Sequence, residues 1–227
     1  MKIGIIIAMD KEFVRIKSLL GGAEEVVSHG RTYVTGTMGD NTVVMHQCGI
    51  GKVNAAIGAS EMISSFAPDA VVSTGVAGGA SLSLSVGDVV VSSQACYHDV
   101  YCGSEVAYGQ VLGMPARFDG DAAMLAKAVN LSCGTRIVSG LTVTGDWFVD
   151  SREKMAAIIG RFPEAMAVDM ESAAIAQACF QRGVPFISFR IISDIPLSDH
   201  KASQYFNFWE TAADSSFGVT KAFLESM

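Results

Sequence analysis

The chain has 227 residues, 50% of them hydrophobic and 17% charged, with a formal net charge of −7 and a pI near 5.0. Such a composition builds a substantial buried core and excludes an intrinsically disordered chain. With no cluster of Lys or Arg, it also excludes nucleic acid and anionic membrane surfaces as charge-driven partners.

Residues 2–8, KIGIIIA, are a short, continuous, Ile-rich run, the pattern of a buried strand. The apolar stretch ends at Asp10, too short and too early for a signal peptide. RTYVTGTM and NTVVMHQCG flank Gly39-Asp40-Asn41, a turn signal, and predict a hairpin. KVNAAIGASEMISSF has helical spacing and is closed by Pro68. AVVSTG is the next strand, followed by a Gly-rich bend, GVAGGA, and by a further strand, GDVVVSS. Residues 94–119 read as irregular. DAAMLAKAVNL is a helix ended by Gly134, TRIVSGLTVTG a strand, SREKMAAIIGRF a helix and AMAVDM a short strand. ESAAIAQACFQR is a helix with Gly183 just past its end, a usual stop. PFISFRIISD is a strand, and the remainder from Gln204 reads as one long amphipathic helix.

Strands and helices alternate through most of the chain. That predicts an α/β fold, one domain spanning residues 1–227, with a central, largely parallel sheet covered by helices. No linker, repeat or low-complexity segment interrupts it. No run reaches the roughly 18 apolar residues that span a bilayer, so a soluble, cytoplasmic protein is expected. The five cysteines are odd in number, scattered and without a CxxC pair, as expected of free thiols in a reducing compartment. The four histidines show no HxxxH or HExxH spacing, and no metal site is expected.

Two Gly-rich pieces resemble phosphate loops and fail the test. HQCGIGKVN has His46 and Val53 where a P-loop needs Gly and Ser or Thr, and GVAGG does not match GxGxxG. No cofactor loop is expected. Both pieces still sit at strand ends, where open α/β sheets bind ligands, although tight turns alone would also explain them.

Three acids fall where a strand gives way to the next element: Glu12, Glu171 and Asp194. Any one of them reads as a helix cap or a solvated side chain. Arg190, inside the apolar ISFRIIS, changes the balance, because a buried cation without a partner is costly. Several carboxylates and one Arg, without a metal, a Ser-His pair or a cofactor loop, suit cleavage of a glycosidic bond. That reaction needs an acid on the leaving group and a base on water, and its cationic transition state is stabilised by carboxylates.

KIGIIIAMDKE, CGIGKVNAA, STGVAGG, VGDVVVS, TGDWFV, AVDMESAAIA and RIISD occur together, in order, over almost the whole chain. This set resembles the bacterial 5′-methylthioadenosine/S-adenosylhomocysteine nucleosidases of the purine-nucleoside phosphorylase/uridine phosphorylase superfamily. The resemblance implies a three-layer α/β/α sandwich with a central twisted mixed sheet, nucleoside phosphorylase-like, and a homodimer active in methionine salvage. It implies that Asp194 is the general acid on adenine N7, oriented by Ser193. Glu12 would hold and activate water, with Arg190 beside it, and Glu171 would bind the ribose hydroxyls. Met170 would pack on the ribose and Phe148 on adenine, with the Val149 backbone reading the base edge. Tyr205 or Phe206 would line the 5′-thio pocket together with Ile50. Asp169 is assigned to structure. Two positions depart from the family pattern. Val76 replaces a Ser in TGSAGG, and loop N–H groups are expected to take over its work. Trp147 stands where a small residue is expected.

Three other activities fit the same motifs. A phosphorylase would need cationic groups near the first strand, where this chain has Asp10 and Glu12 with only Lys11; carboxylates there repel phosphate and suit water. A non-catalytic nucleoside-binding module has no use for an acid aimed at N7. An aminofutalosine-type nucleosidase shares the adenine and ribose contacts and differs at the 5′ substituent.

Overall fold

The computed structural model describes residues 1–198, 201–211 and 213–227, and the side chains of 201–203, 206, 211 and 213–216 lie outside the described set. The ten strands are β1 (Lys2–Ile7), β2 (Gly21–Ser28), β3 (Arg31–Met38), β4 (Asn41–Gln47), β5 (Ala70–Gly79), β6 (Val89–Tyr97), β7 (Phe118–Asp119), β8 (Ile137–Thr144), β9 (Ala165–Asp169) and β10 (Phe186–Asp194). The helices are α1 (Asp10–Lys17), α2 (Lys52–Phe66), α3 (Ala122–Val129), α4 (Arg152–Ile159), α5 (Ser172–Arg182), α6 (Lys201–Thr211) and α7 (Ala213–Glu225).

All ten strands join one sheet. One arm runs β2-β3-β4-β1-β5, with β1 parallel to both β4 and β5. β5 then pairs β10 in parallel from Val71 to Gly78, and β10, β6, β8 and β9 lead back to β5, closing a ring of five strands. Ala77, Val90, Ala167 and Ile192, one from each of four ring strands, pack together. The free edge of β5 is shared: β1 takes Ala70–Ser73, and β9, antiparallel, takes only Gly78 and Gly79. The carboxyl ends of β5 and β9 therefore overlap where the sheet divides between its arm and its ring, a natural place for a crevice.

Strand alternation sends side chains to two cores. Ile3, Ile5 and Ile7 of β1 face α1, α6 and α7 through Ile16, Phe208, Phe217 and Phe223. Ile6 of β1, Val44 of β4 and Val71 of β5 face α2 and α5 through Ala55, Ala59, Ala173 and Ile175. The small residues of α2 and α5 let these helices lie close to each other and to the sheet. Helices thus cover both faces of a mixed sheet, the three-layer α/β/α arrangement expected from the resemblance. No helix among the described residues is long and apolar enough to cross a membrane.

The hairpin, α2, α5 and β10 lie where the sequence puts them. Five readings are corrected. The sheet is as antiparallel as it is parallel, because the ring closes through β10–β6 and β9–β5. The Gly-rich bend expected at 75–80 is instead, through Gly79, the second half of β5, which β10 and β9 hold extended from both sides. The irregular 94–119 segment begins as strand, since β8 pairs β6 through Tyr97, and ends in β7. An edge strand, β2, precedes the hairpin. The C-terminal helical segment begins at Lys201, ahead of Gln204, and is described over Lys201–Thr211 (α6) and Ala213–Glu225 (α7).

Candidate active site

One cleft opens at the division of the sheet, with about 700 Å³ of unfilled space, its open mouth included. Strand ends and the loops after them build its walls: Ala8 and Met9 after β1, Ile50 after β4, Val76–Gly78 of β5, Trp147–Val149 after β8, Val168–Glu171 of β9 and beyond, and Ser193–Asp194 of β10.

Glu12 stands on the first turn of α1 and is 2% exposed. Its Oε2 accepts the Met9 N–H at 3.0 Å and its Oε1 accepts the Val76 N–H at 2.8 Å. Burial pushes this carboxyl above the usual carboxylate range, while those two amides and the Arg190 charge pull it back. Gly75 has a steric reason to be glycine: a Cβ there would sit 2.8 Å from Glu12 Oε1. At position 76, where a Ser hydroxyl is missing, the loop amide of Val76 is the donor given to Glu12.

Glu171 is the N-cap residue of α5, and its side chain caps no backbone N–H of that helix. It turns into the cleft, where Oε1 accepts the Gly51 N–H at 2.9 Å. Gly51 reaches it by adopting φ 97°, a left-handed value that favours glycine. Burial first, and then the charge of Asp169, raise the Glu171 carboxyl to about 7 against the pull of Arg190 and the Gly51 amide.

Asp169 accepts from three protein donors: Thr144 Oγ1 at 2.5 Å, the Ser172 N–H at 3.0 Å and Arg190 Nε at 2.5 Å. Arg190, 2% exposed, also donates to Ser73 Oγ at 2.7 Å. The buried cation foreseen from the sequence thus pairs with Asp169, and its effect on Glu12 and Glu171 is through space. Arg190 lines a side cavity of about 10 Å³ behind the cleft, shared with Glu12, Glu171, Ser73 and Cys48. That is room for one water beside polar partners. Burial pushes the Cys48 thiol up to about 12, so it sits there as a neutral, inert group.

Asp194 ends β10 and is 7% exposed. Ser193 Oγ donates to its Oδ1 at 2.8 Å. The walls are apolar: Val76, Met170, Phe148, Val149 and Ile50, with Tyr205 of α6 and Trp147 at the rim. Phe148 is 66% exposed and Ile50 52%, so both stand at the mouth. Every sequence-predicted residue but two lines this cleft; Arg190 lies behind it and the Phe206 side chain is outside the described residues. Sequence reasoning missed Ala8, Met9, Ala77, Gly78 and Val168, whose only signal was a place beside strand ends.

Comparison with known proteins agrees over the full length. The model of the phosphorylase superfamily matches residues 2–225. A 5′-methylthioadenosine/S-adenosylhomocysteine nucleosidase of Geobacillus kaustophilus (strain HTA426) is 40% identical, covering 100% of this chain and 98% of its own. The S. pneumoniae enzyme of that name, solved with the transition-state inhibitor MT-ImmA, superposes with a TM-score of 0.92 at 38% identity and 99% coverage of both chains. The Colwellia psychrerythraea 34H nucleosidase, solved in complex with adenine, gives 0.91 at 40% identity, covering 99% of this chain and 94% of that one. The chain belongs to the 5′-methylthioadenosine/S-adenosylhomocysteine nucleosidase family of the phosphorylase superfamily.

Proposed function

We propose that this protein hydrolyses the N-glycosidic bond of 5′-thio-substituted adenosines, 5′-methylthioadenosine and S-adenosylhomocysteine, to adenine and the thioribose. One observation carries the reading: three buried carboxylates from separate elements, Glu12, Glu171 and Asp194, meet in one apolar-walled cleft.

The roles follow from the chemistry. Asp194, oriented by Ser193, gives a proton to adenine N7, and the C1′–N9 electron pair leaves with the base. The ribosyl group becomes an oxocarbenium ion, stabilised by the carboxylates around it. Water between Glu12 and Arg190, in the side cavity, attacks C1′, and Glu12 takes its proton. Glu171 accepts from the ribose hydroxyls, Met170 packs on the sugar, and Phe148 stacks on adenine with the Val149 backbone at the base edge. Ile50, Val76 and Tyr205 line the apolar end that takes the 5′ substituent. No cofactor enters any step.

Release of adenine from 5′-methylthioadenosine in phosphate-free buffer tests this. Turnover that begins only when phosphate is added would mean phosphorolysis. Relatives at about 40% identity favour the thio-adenosines over aminofutalosine, and a parallel assay of the three nucleosides ranks them.

We place the protein in the cytoplasm, in methionine salvage, as a homodimer. Its five free cysteines suit a reducing compartment. Val53 and Ile57 of α2 and Phe180 of α5 are exposed beside the groove between those helices, an apolar face a second copy would cover. Sedimentation velocity reads the oligomeric state.

A further inference from the structure

Two neighbouring loops form part of the wall of the cleft. One is the turn before α2, which carries Ile50 and the Gly51 N–H bound by Glu171. The other follows β8 and carries Trp147, Phe148 and Val149. Neither belongs to a regular element, both hold exposed apolar side chains, and each has its own anchor: Asn54 Nδ2 donates to the Ile50 carbonyl at 2.7 Å, and Trp147 stands edge-on to His98.

Three charged side chains tie them together. Asp146, in the second loop, accepts the Lys52 N–H through Oδ1 at 2.8 Å, which satisfies one of the open amides at the start of α2. Asp99, after β6, accepts Lys52 Nζ with both oxygens at 2.7 Å and the Asp146 N–H at 2.9 Å. Lys52 Nζ also lies 3.7 Å from Asp146 Oδ2. The Lys52 amide anchored by Asp146 is the neighbour of the Gly51 amide that holds Glu171, and a Cβ on Gly51 would lie 3.0 Å from Asp146 Oδ1. The side chains of Asp99 and Lys52 are only 9% and 22% exposed, so their attraction is poorly screened.

We propose that Asp146, Lys52 and Asp99 are positioning residues: they hold the Ile50–Gly51 wall and the Trp147–Val149 wall at the separation a nucleoside needs, and aim the Gly51 N–H at Glu171. The inference rests on the nucleosidase reading above. Without the tie, the two walls spread and only a fraction of molecules presents a competent cleft. Bound substrate selects that fraction, so the loss falls on KM and spares kcat.

Asp146→Ala tests the tie with 5′-methylthioadenosine as substrate. Asp146 is half exposed, so the fold tolerates the change. KM rises about tenfold, kcat stays within threefold, and the kcat/KM limb set by Glu171 moves to higher pH, because a loosened Gly51 amide no longer holds that carboxyl down. A merely structural role lowers active enzyme, and so kcat, with KM and the pH limb unmoved; that result overturns the proposal. Should Asp146→Ala fail to fold, Asp146→Asn, which keeps an oxygen for the Lys52 amide, is expected to raise KM about threefold, and an unchanged KM there overturns it equally. Wild-type protein that releases no adenine refutes the underlying nucleosidase reading; active wild type with an unaltered variant refutes the tie alone.

Discussion

Replacing Glu171 by Gln should make the protein more stable and inactive at once. Burial and Asp169 raise this carboxyl from the ordinary 4.5 to about 7 in the folded state. A raised folded value means that the folded chain holds its proton more tightly than the unfolded chain does. Stability from this group is therefore complete below pH 4.5 and is lost as pH rises towards 7. The difference of some 2.5 pH units corresponds to about 3 kcal/mol of burial penalty in the ionised state. Gln is the neutral isostere of the protonated acid and can still accept the Gly51 N–H. The variant and wild type should thus be about equally stable near pH 4.5. At pH 8 the variant should lead by about 3 kcal/mol, or roughly 6–12 °C in Tm for a chain of this size. Urea unfolding at four pH values between 4.5 and 8 measures the gap, and adenine release measures activity. A gap that does not widen with pH refutes the electrostatic account, and retained turnover refutes the role of Glu171.

Asp194→Asn should lower kcat by about 10²–10⁴, the usual worth of a general acid, while a transition-state analogue still binds by calorimetry. Gly75→Ala places a Cβ 2.8 Å from Glu12 Oε1 and should cost on the order of 10²-fold in kcat/KM with a small shift in Tm, if the displaced carboxylate handles water as proposed. Arg190→Met leaves Asp169 buried and without its cation; about 3–5 kcal/mol of stability should be lost, seen as an earlier urea midpoint at pH 7.5.

Elements with one strong signal were legible in the sequence. The Ile-rich β1, the hairpin around Gly39-Asp40, and α5 with Gly183 at its end each obey a local rule. Elements made by their neighbours were not. β5 passes straight through a Gly-rich stretch because β10 and β9 hold its backbone, and glycine itself carries no strand signal. β2 is nearly all exposed and shows no alternation to read. α1 is only eight residues long, and one of its two buried side chains is a carboxylate, Glu12, where a pattern reader looks for an apolar group. The site repeats this division. Each acid was visible as an acid after a strand, but their convergence comes from a closed ring and a shared edge of β5, which no local window contains. The partner of Arg190 shows the limit well: Asp169 lies 21 residues away, and its claim on the guanidinium over Glu12 is a matter of register between β9, β5 and β10. The Asp99–Lys52–Asp146 tie spans separations of 47 and 94 residues and left no trace in any motif.

The balance of charge in the cleft argues for water as the nucleophile. A phosphorylase must bring an anion against the sugar and needs free cationic donors to hold it. Arg190 is the cation at this site among the described residues, and its Nε and Nη2 are already bound to Asp169 and Ser73. Once Asp169 has neutralised it, Glu12, Glu171 and Asp194 remain, all in a setting too dry to screen them. A phosphate entering there meets repulsion from at least one ionised carboxylate; a neutral water meets an acceptor. Keeping these acids out of water is unfavourable while the cleft is empty: loss of hydration raises Glu12 and Glu171, and the Asp169 charge raises Glu171 further. It becomes favourable only when a positive charge grows on the ribosyl group. The penalty in the resting protein and the stabilisation of the transition state are therefore one interaction seen at two moments, and a substitution that relieves the first must weaken the second.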